Sequence, residues 1–459
     1  MRRRVLATPR SAWVDPAVAF QALCRGSSPA FWLDSGVGAT TGWSYLGVAS
    51  RAVTASVADG TVTEWPSGNT EPGTIFEFLR AEQAGGSPEL VGSDAPVGAF
   101  RLGWVGWLGY ELHAQTMVTG LARRSRHPDA ALMFVDRALA FDHAAHTVTQ
   151  LSLSPVAPLP LRAFRHSRRT GSEERRAQTE EWAYPEGEYL SMIAACQRSI
   201  AAGDAYQLCL TTEAAIEAHP DPVDTYLRLR ELSPSHHGGF VRIGGVSLLS
   251  SSPEQFLTVT APEVGDGGRI IESKPIKGTR RRGATPEEDA ALRDELLASD
   301  KERAENLMIV DLMRNDIGRV SGVGTVTVPN LLEVETYAQV HQLVSTVRGV
   351  LASGLDPVDA VVACFPAGSM TGAPKHAAIL RLDELERRAR GVYSGAFGYF
   401  GLDGRVELAM VIRSIVLGAD GATIGAGGGI TGLSVPAEEL EEVRIKAAAL
   451  LTVLGPEIR

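Results

Sequence analysis

The chain has 459 residues, 44% apolar and 21% charged, with 44 Lys+Arg against 54 Asp+Glu and a formal net charge of −10. It is about three times the length of a typical domain and too apolar to be disordered. A net acidic chain without clustered basic residues neutralises phosphates poorly, so no nucleic-acid partner is expected.

The first residues, MRRRVLATPRSAWVDP, are basic, but Pro9, Arg10 and Asp15 leave no apolar stretch for a signal peptide. No segment approaches the ~18 apolar residues that span a bilayer. Cys24, Cys196, Cys209 and Cys364 are far apart and show neither a disulfide nor a zinc pattern. A cytoplasmic protein with buried free thiols and no membrane partner is expected. From about residue 30 to 150, short apolar runs such as GWSYLGVAS and LGWVGWLGYEL alternate with Gly, Pro, Asn and Asp, a pattern of strands and tight turns. Residues 155–187 turn Pro-rich and then mixed in charge, which reads as a linker or surface excursion. A boundary near residue 185 divides the chain into regions 1–185 and 186–459.

The second region opens on a predicted helix over 188–202, then a strand in AYQLCLTTEAAI. VSLLSSSPEQFLTV and GRIIESKPIKGTR read as strands around turns. Thr285-Pro286-Glu287-Glu288 and Ser299-Asp300-Lys301-Glu302 are capping boxes that open two helices, the second running to about Ile317. GVYSGAFGYFGL and RVELAMVIRSIVLG read as strands, GAGGGI as a glycine run, and 437–454 as a final helix. Strands and helices mix without a βαβ period, so the fold class is α+β with large antiparallel sheets.

Glu302 and Glu305 lie three apart on one helix, and Glu439 and Glu442 repeat the spacing on the last. Four carboxylates on two helices suit a hard cation such as Mg²⁺. Single members also have structural uses: Glu302 in its capping box, Glu442 paired with Lys446 at i+4. Lys277 is either a surface turn residue or a lysine held for nucleophilic attack. Arg413, inside the apolar run LAMVIRSIVL, needs an anion, either an internal acid or a carboxylate substrate. His341 is more often a satisfied core residue than an acid or base. Glu254 follows Pro at a strand start and can be structural. The GAGGGI amides either hold a carboxylate or form a turn.

The segments SSSPEQFL, KPIKGTRRRG, DKERAENLMIVDLMRND, VHQLVS, FPAGSMTGAPK, LAMVIRSIVL, GAGGGI and SVPAEELEEVRIKAAALL, in this order, resemble the chorismate-utilising enzymes over about residues 186–455. WLDSG and GWVGWLGYE extend the resemblance to the amino-terminal part of the aminating members. The resemblance implies antiparallel sheets packed as a sandwich with helices outside. Gln207 stands where water-adding members carry a Lys base. PIKGT, with Lys277, is closest to the aminodeoxychorismate synthase component I branch, whereas anthranilate synthases usually read PIAGT. By that resemblance Glu302, Glu305, Glu439 and Glu442 hold Mg²⁺. Thr371, Tyr393, Arg413, Lys446, Gly427 and Gly428 bind chorismate. Lys277 is the nucleophile, Glu254 the acid at the 4-hydroxyl, and His341 corresponds to the family's active-site His. No Cys lies in a nucleophile turn such as GxCxG, so ammonia would come from solution or from a separate glutamine amidotransferase subunit. The competing expectations are anthranilate synthase component I, which aminates C2 and releases pyruvate, and a non-catalytic chorismate-binding subunit.

Overall fold

The computed structural model describes residues 4–83, 88–91, 98–120, 123–155, 159, 180–261, 268–337 and 340–455. Among these, one sheet has 13 strands and the other 12. The strand Gly103–Leu108 shows why they stack. Its run GWVGWL has no polar alternation. Trp104 and Leu108 face a helical layer, while Val105 and Trp107 face the other sheet. A strand buried on both faces has no solvent side for polar residues to mark.

Between the sheets, Phe31, Tyr45, Val241 and Leu248 meet Val105, Trp107, Phe397 and Tyr399. The helices Pro16–Cys24, Glu186–Ala201, Pro222–Leu232 and Pro436–Leu454 pack their apolar sides into the core on the outer face of the 13-stranded sheet. Asp300–Gly318 and Pro357–Cys364 do the same on the 12-stranded sheet. This is the expected α+β sandwich with helices outside. No helix among the described residues is long and apolar enough to cross a membrane.

Residues on either side of position 185 share both sheets. Ala30–Asp34 pairs with His237–Ile243, and Gly103–Leu108 pairs with Ala396–Gly401. Backbone hydrogen bonds therefore join the two regions. Residues 160–179 of the mixed-charge excursion lie outside the described residues; its end, Glu180–Trp182, adds an edge strand to Gln207–Ile216.

The helix-start signals act locally. Thr285 accepts the Glu288 N–H at 3.2 Å and Ser299 accepts the Glu302 N–H at 3.5 Å. The Glu288 carboxylate of the first box also accepts the Ala284 N–H at 2.7 Å.

Two segments differ from their sequence reading. LAMVIRSIVL is two strands in different sheets, Val406–Met410 and Ser414–Gly418. The chain crosses between the sheets at residues 411–413, and Arg413 takes φ 48° there, a region that side chains with a Cβ rarely occupy. An extended backbone could not make that crossing. GAGGGI is not a turn. It is the second half of the strand Gly421–Ile430, paired along its length with Gln207–Ile216. Ser414–Gly418 pairs only with Gly421–Thr423, so residues 425–429 have a neighbouring strand on one side and an open edge on the other.

Lys375 ties this frame together. Its Nζ donates to Asp316 and to the carbonyls of Cys364 (3.0 Å) and Pro366 (2.8 Å). The side chains of Lys375 and Asp316 are 5% and 2% exposed. Lys375→Met leaves Asp316 buried without its cation and is expected to destabilise the fold by about 3 kcal/mol or more. Urea unfolding of the variant would check this; a parent-like midpoint contradicts it.

Candidate active site

One cavity of about 430 Å³ gathers eleven of the thirteen residues singled out from the sequence. Lys277 enters from the strand Ile276–Arg281. Ile276 pairs with Val344 but Thr279 pairs with Gln342, so three residues span a step of two on the partner strand. The resulting bulge re-aims the side chain at its apex. Gly278 makes it possible: its φ is 83°, and a Cβ there would lie 3.0 Å from Glu302 Oε2. Lys277 Nζ lies 3.7 Å from Glu305 Oε2.

Glu254 lines the same cavity from the start of the strand after Ser252. It is 9% exposed. Burial raises its pKa to about 7, against the opposing pull of the Lys277 charge and of a hydrogen bond from Ser369. The Ser369 hydroxyl donates to Oε1 at 3.0 Å.

The acids come from two helices, Asp300–Gly318 and Pro436–Leu454. Glu302 lies 3.5 Å from Arg280, and Glu439 accepts from Ser434 at 2.7 Å. Glu442 pairs with Lys446 at 2.7 Å, and Lys446 also donates to the Gly427 carbonyl at 2.9 Å. Burial raises the pKa of Glu305, Lys277 and Lys301 oppose it, and the like charges of Glu302 and Glu442 add to it. Among the described residues no three His, Cys, Asp or Glu are arranged to hold a metal ion. In donor chemistry the four carboxylates on one cavity wall still fit a hard divalent cation.

The rest of the wall is the open edge of the Gly421–Ile430 strand. A Cβ at Gly428 would lie 3.1 Å from Glu439 Oε2, and one at Gly425 would lie 2.1 Å from Tyr393 Cγ. Only a glycine lets the Tyr393 ring lie against the strand. Arg413 is not the buried guanidinium its apolar run predicts. Its side chain is exposed within the cavity, recessed enough for desolvation to lower its pKa, and no acid pairs with it among the described residues.

Two expected residues are elsewhere. His341 is 1% exposed and faces away from the cavity, with Nδ1 at 2.9 Å from Thr336 and Nε2 at 2.9 Å from Asp289. Both ring nitrogens are satisfied, which is its core reading. Thr371 is fully buried behind the wall, bonding the Ala367 and Gly368 carbonyls at 3.2 Å each. Gln207 is buried beneath Gly429. Lining residues not expected from the sequence include Lys301, Ser369 and Gln342. The i,i+4 spacing of Lys301 and Glu305 was the available signal for the first. For Gln342 the signal was its place next to His341, since consecutive strand residues face opposite ways.

A larger cavity, about 880 Å³, lies beyond Tyr393 and is rich in arginine. It contains none of the four acids, nor Lys277 or Glu254.

A family model described as chorismate binding enzyme matches residues 28–452. An aminodeoxychorismate synthase of Streptomyces griseus is 44% identical over 99% of this chain, but the chain spans only 64% of that relative's length. An anthranilate synthase component 1 of Geobacillus stearothermophilus is 34% identical, with 89% of this chain and 85% of that one covered. The crystal structure of anthranilate synthase component I from Streptococcus pneumoniae superposes with a TM-score of 0.75 at 27% identity, covering 95% and 97% of the two chains. With the sandwich, the cavity and a family match over most of its length, the chain belongs to the chorismate-binding enzymes.

Proposed function

We propose that this chain converts chorismate and ammonia to 4-amino-4-deoxychorismate, with Mg²⁺, toward p-aminobenzoate and folate. The observation that carries the reading is Lys277 on its bulge, in one cavity with the buried acid Glu254. In the proposed sequence Lys277 releases a proton to solvent and its amine nitrogen adds at C2. The ring double bonds shift, and the C4–O bond breaks as Glu254 gives its proton to the departing hydroxyl, which leaves as water. Ammonia then forms the C4–N bond, the double bonds shift back, and the C2–N bond to Lys277 breaks. Arg413, without an acid partner, is free to pair with a substrate carboxylate. When bound, Mg²⁺ would neutralise the ring carboxylate and favour nucleophilic addition, with Glu302, Glu305, Glu439 and Glu442 as its holders.

The nitrogen source belongs to a separate glutamine amidotransferase subunit in this reading. All four cysteines are buried. Burial raises the thiols of Cys24 and Cys196 to about 12 and shifts Cys209 and Cys364 the same way, so none is suited to attack a glutamine amide.

A second reading, anthranilate synthase component I, is favoured by the relatives of that name whose length this chain covers most fully. Mass spectrometry of products from chorismate, Mg²⁺ and ammonium separates them. Aminodeoxychorismate without pyruvate supports the proposal; anthranilate with pyruvate replaces it with the second reading.

Glu254 also sets a pH dependence. With its pKa raised to about 7, the carboxyl is protonated below that pH and lost as an acid above it. At constant free ammonia, kcat is expected to fall as pH rises through about 7. Glu254→Gln should lower kcat about a hundredfold or more and remove that limb. A variant that keeps the limb assigns it to another group.

A further inference from the structure

Glu111 follows the strand Gly103–Leu108 in the amino-terminal region and is 3% exposed. Its carboxylate accepts two consecutive backbone N–H groups from beyond residue 185. Oε1 takes that of Arg390 at 2.7 Å, and Oε2 that of Gly391 at 2.9 Å. The neighbouring Tyr110 N–H donates to the Gly391 carbonyl at 2.8 Å. The segment held in this way is strained. Arg387, Gly391 and Ser394 all take left-handed φ, of 50°, 63° and 65°. Two of the three carry a Cβ, and such a backbone persists only where its surroundings enforce it. The Arg390 side chain then reaches the candidate cavity from behind. It pairs with Glu386 at 2.7 Å, and the two side chains are 1% and 3% exposed. It also donates to the carbonyls of Met370 at 2.7 Å and Cys209 at 2.9 Å. Cys209, Met370 and Tyr393 all line the candidate cavity.

We propose that Glu111 is a positioning residue for the substrate ring: by gripping the Arg390 and Gly391 amides it fixes the wall made by Cys209, Met370 and above all Tyr393. The inference rests on the reading that chorismate occupies this cavity, whichever ring carbon is aminated. An ionised carboxylate suits the place, because it offers one acceptor to each N–H. An amide of the same shape offers a single acceptor and turns its NH₂ against the other N–H. Burial raises the Glu111 pKa to about 7; the Arg390 N–H bond opposes the rise and the Asp129 charge adds to it. The carboxylate therefore predominates at pH 8.

The test follows chorismate consumption by the full chain at pH 8 with Mg²⁺ and ammonium chloride. Glu111→Gln is expected to raise KM for chorismate about tenfold, the effect of one lost buried hydrogen bond, while KM for ammonium stays close to the parent value. In a Tyr393→Ala background the same substitution should add at most about twofold, because the main part of the wall that Glu111 positions is already gone. A residue that merely supports the fold acts equally in both backgrounds. An equal rise in the two backgrounds therefore overturns the proposal. So does an unchanged KM for chorismate, and so does a fall in kcat alone, which reports lost folded enzyme and not a moved wall. Glu111→Asp keeps the charge but shortens the reach, and carries the same comparison if Glu111→Gln does not fold. If the parent itself consumes no chorismate, the functional reading fails; if the parent consumes it and Glu111→Gln matches the parent, only this inference fails.

Discussion

Replacing Lys277 by Ala is expected to abolish aminodeoxychorismate formation, with any residual turnover redirected to C2. The bulge between Ile276 and Thr279 brings the lysine to the cavity, and Gly278 supplies the left-handed turn beside it. Removing a covalent nucleophile costs far more than removing a binding contact; a loss of at least about a thousandfold in kcat is expected. Lys277→Arg should not restore activity, because a guanidinium stays protonated and is a poor nucleophile. The side chain is 18% exposed, so thermal unfolding is compared with the parent's to separate a lost nucleophile from a folding defect. Liquid chromatography with mass detection is the decisive measurement. Unchanged aminodeoxychorismate output would remove the nucleophile from Lys277.

Glu305→Gln and Glu442→Gln are expected to raise the Mg²⁺ concentration for half-maximal activity about tenfold or more, as even the loss of a supporting group at a metal site does. The two residues test different helices. Glu305 lies beside Lys277, and Glu442 pairs with Lys446 on the last helix. In the structure each acid is balanced by a basic or hydroxyl partner, so occupancy by a cation would have to replace those pairings. Glu441→Gln is the control: it neighbours Glu442, is exposed, and does not line the cavity. Activity titrated with Mg²⁺ at saturating chorismate and ammonium would check the set. A variant with the parent's titration takes that glutamate out of the site.

The sequence by itself determined much of the local structure and singled out most of the charged residues that line the cavity. Ser299 before Glu302 starts a helix wherever that helix ends up, because the cap is a contact three residues away. The i,i+3 spacing puts Glu302 with Glu305, and Glu439 with Glu442, on shared faces by helix geometry alone. The order of motifs also pointed to the family that the comparisons support.

Three features were decided only by tertiary structure. Which of His341 and Gln342 faces the cavity depends on the pairing of their strand with Ile276–Arg281, and a shift of one residue exchanges the faces. LAMVIRSIVL looked like one strand because both halves are buried. Only the position of the second sheet forces the crossing at Arg413. The glycine run left two readings open, a carboxylate cradle or a turn, and here it forms a strand with an open edge, with the Tyr393 ring lying against Gly425. Net charge had argued only against a nucleic-acid partner. The long-range pairing across residue 185 joined the two regions, and side chains far apart in sequence then met in one cavity, because burial and pairing are collective while capping and periodicity are local.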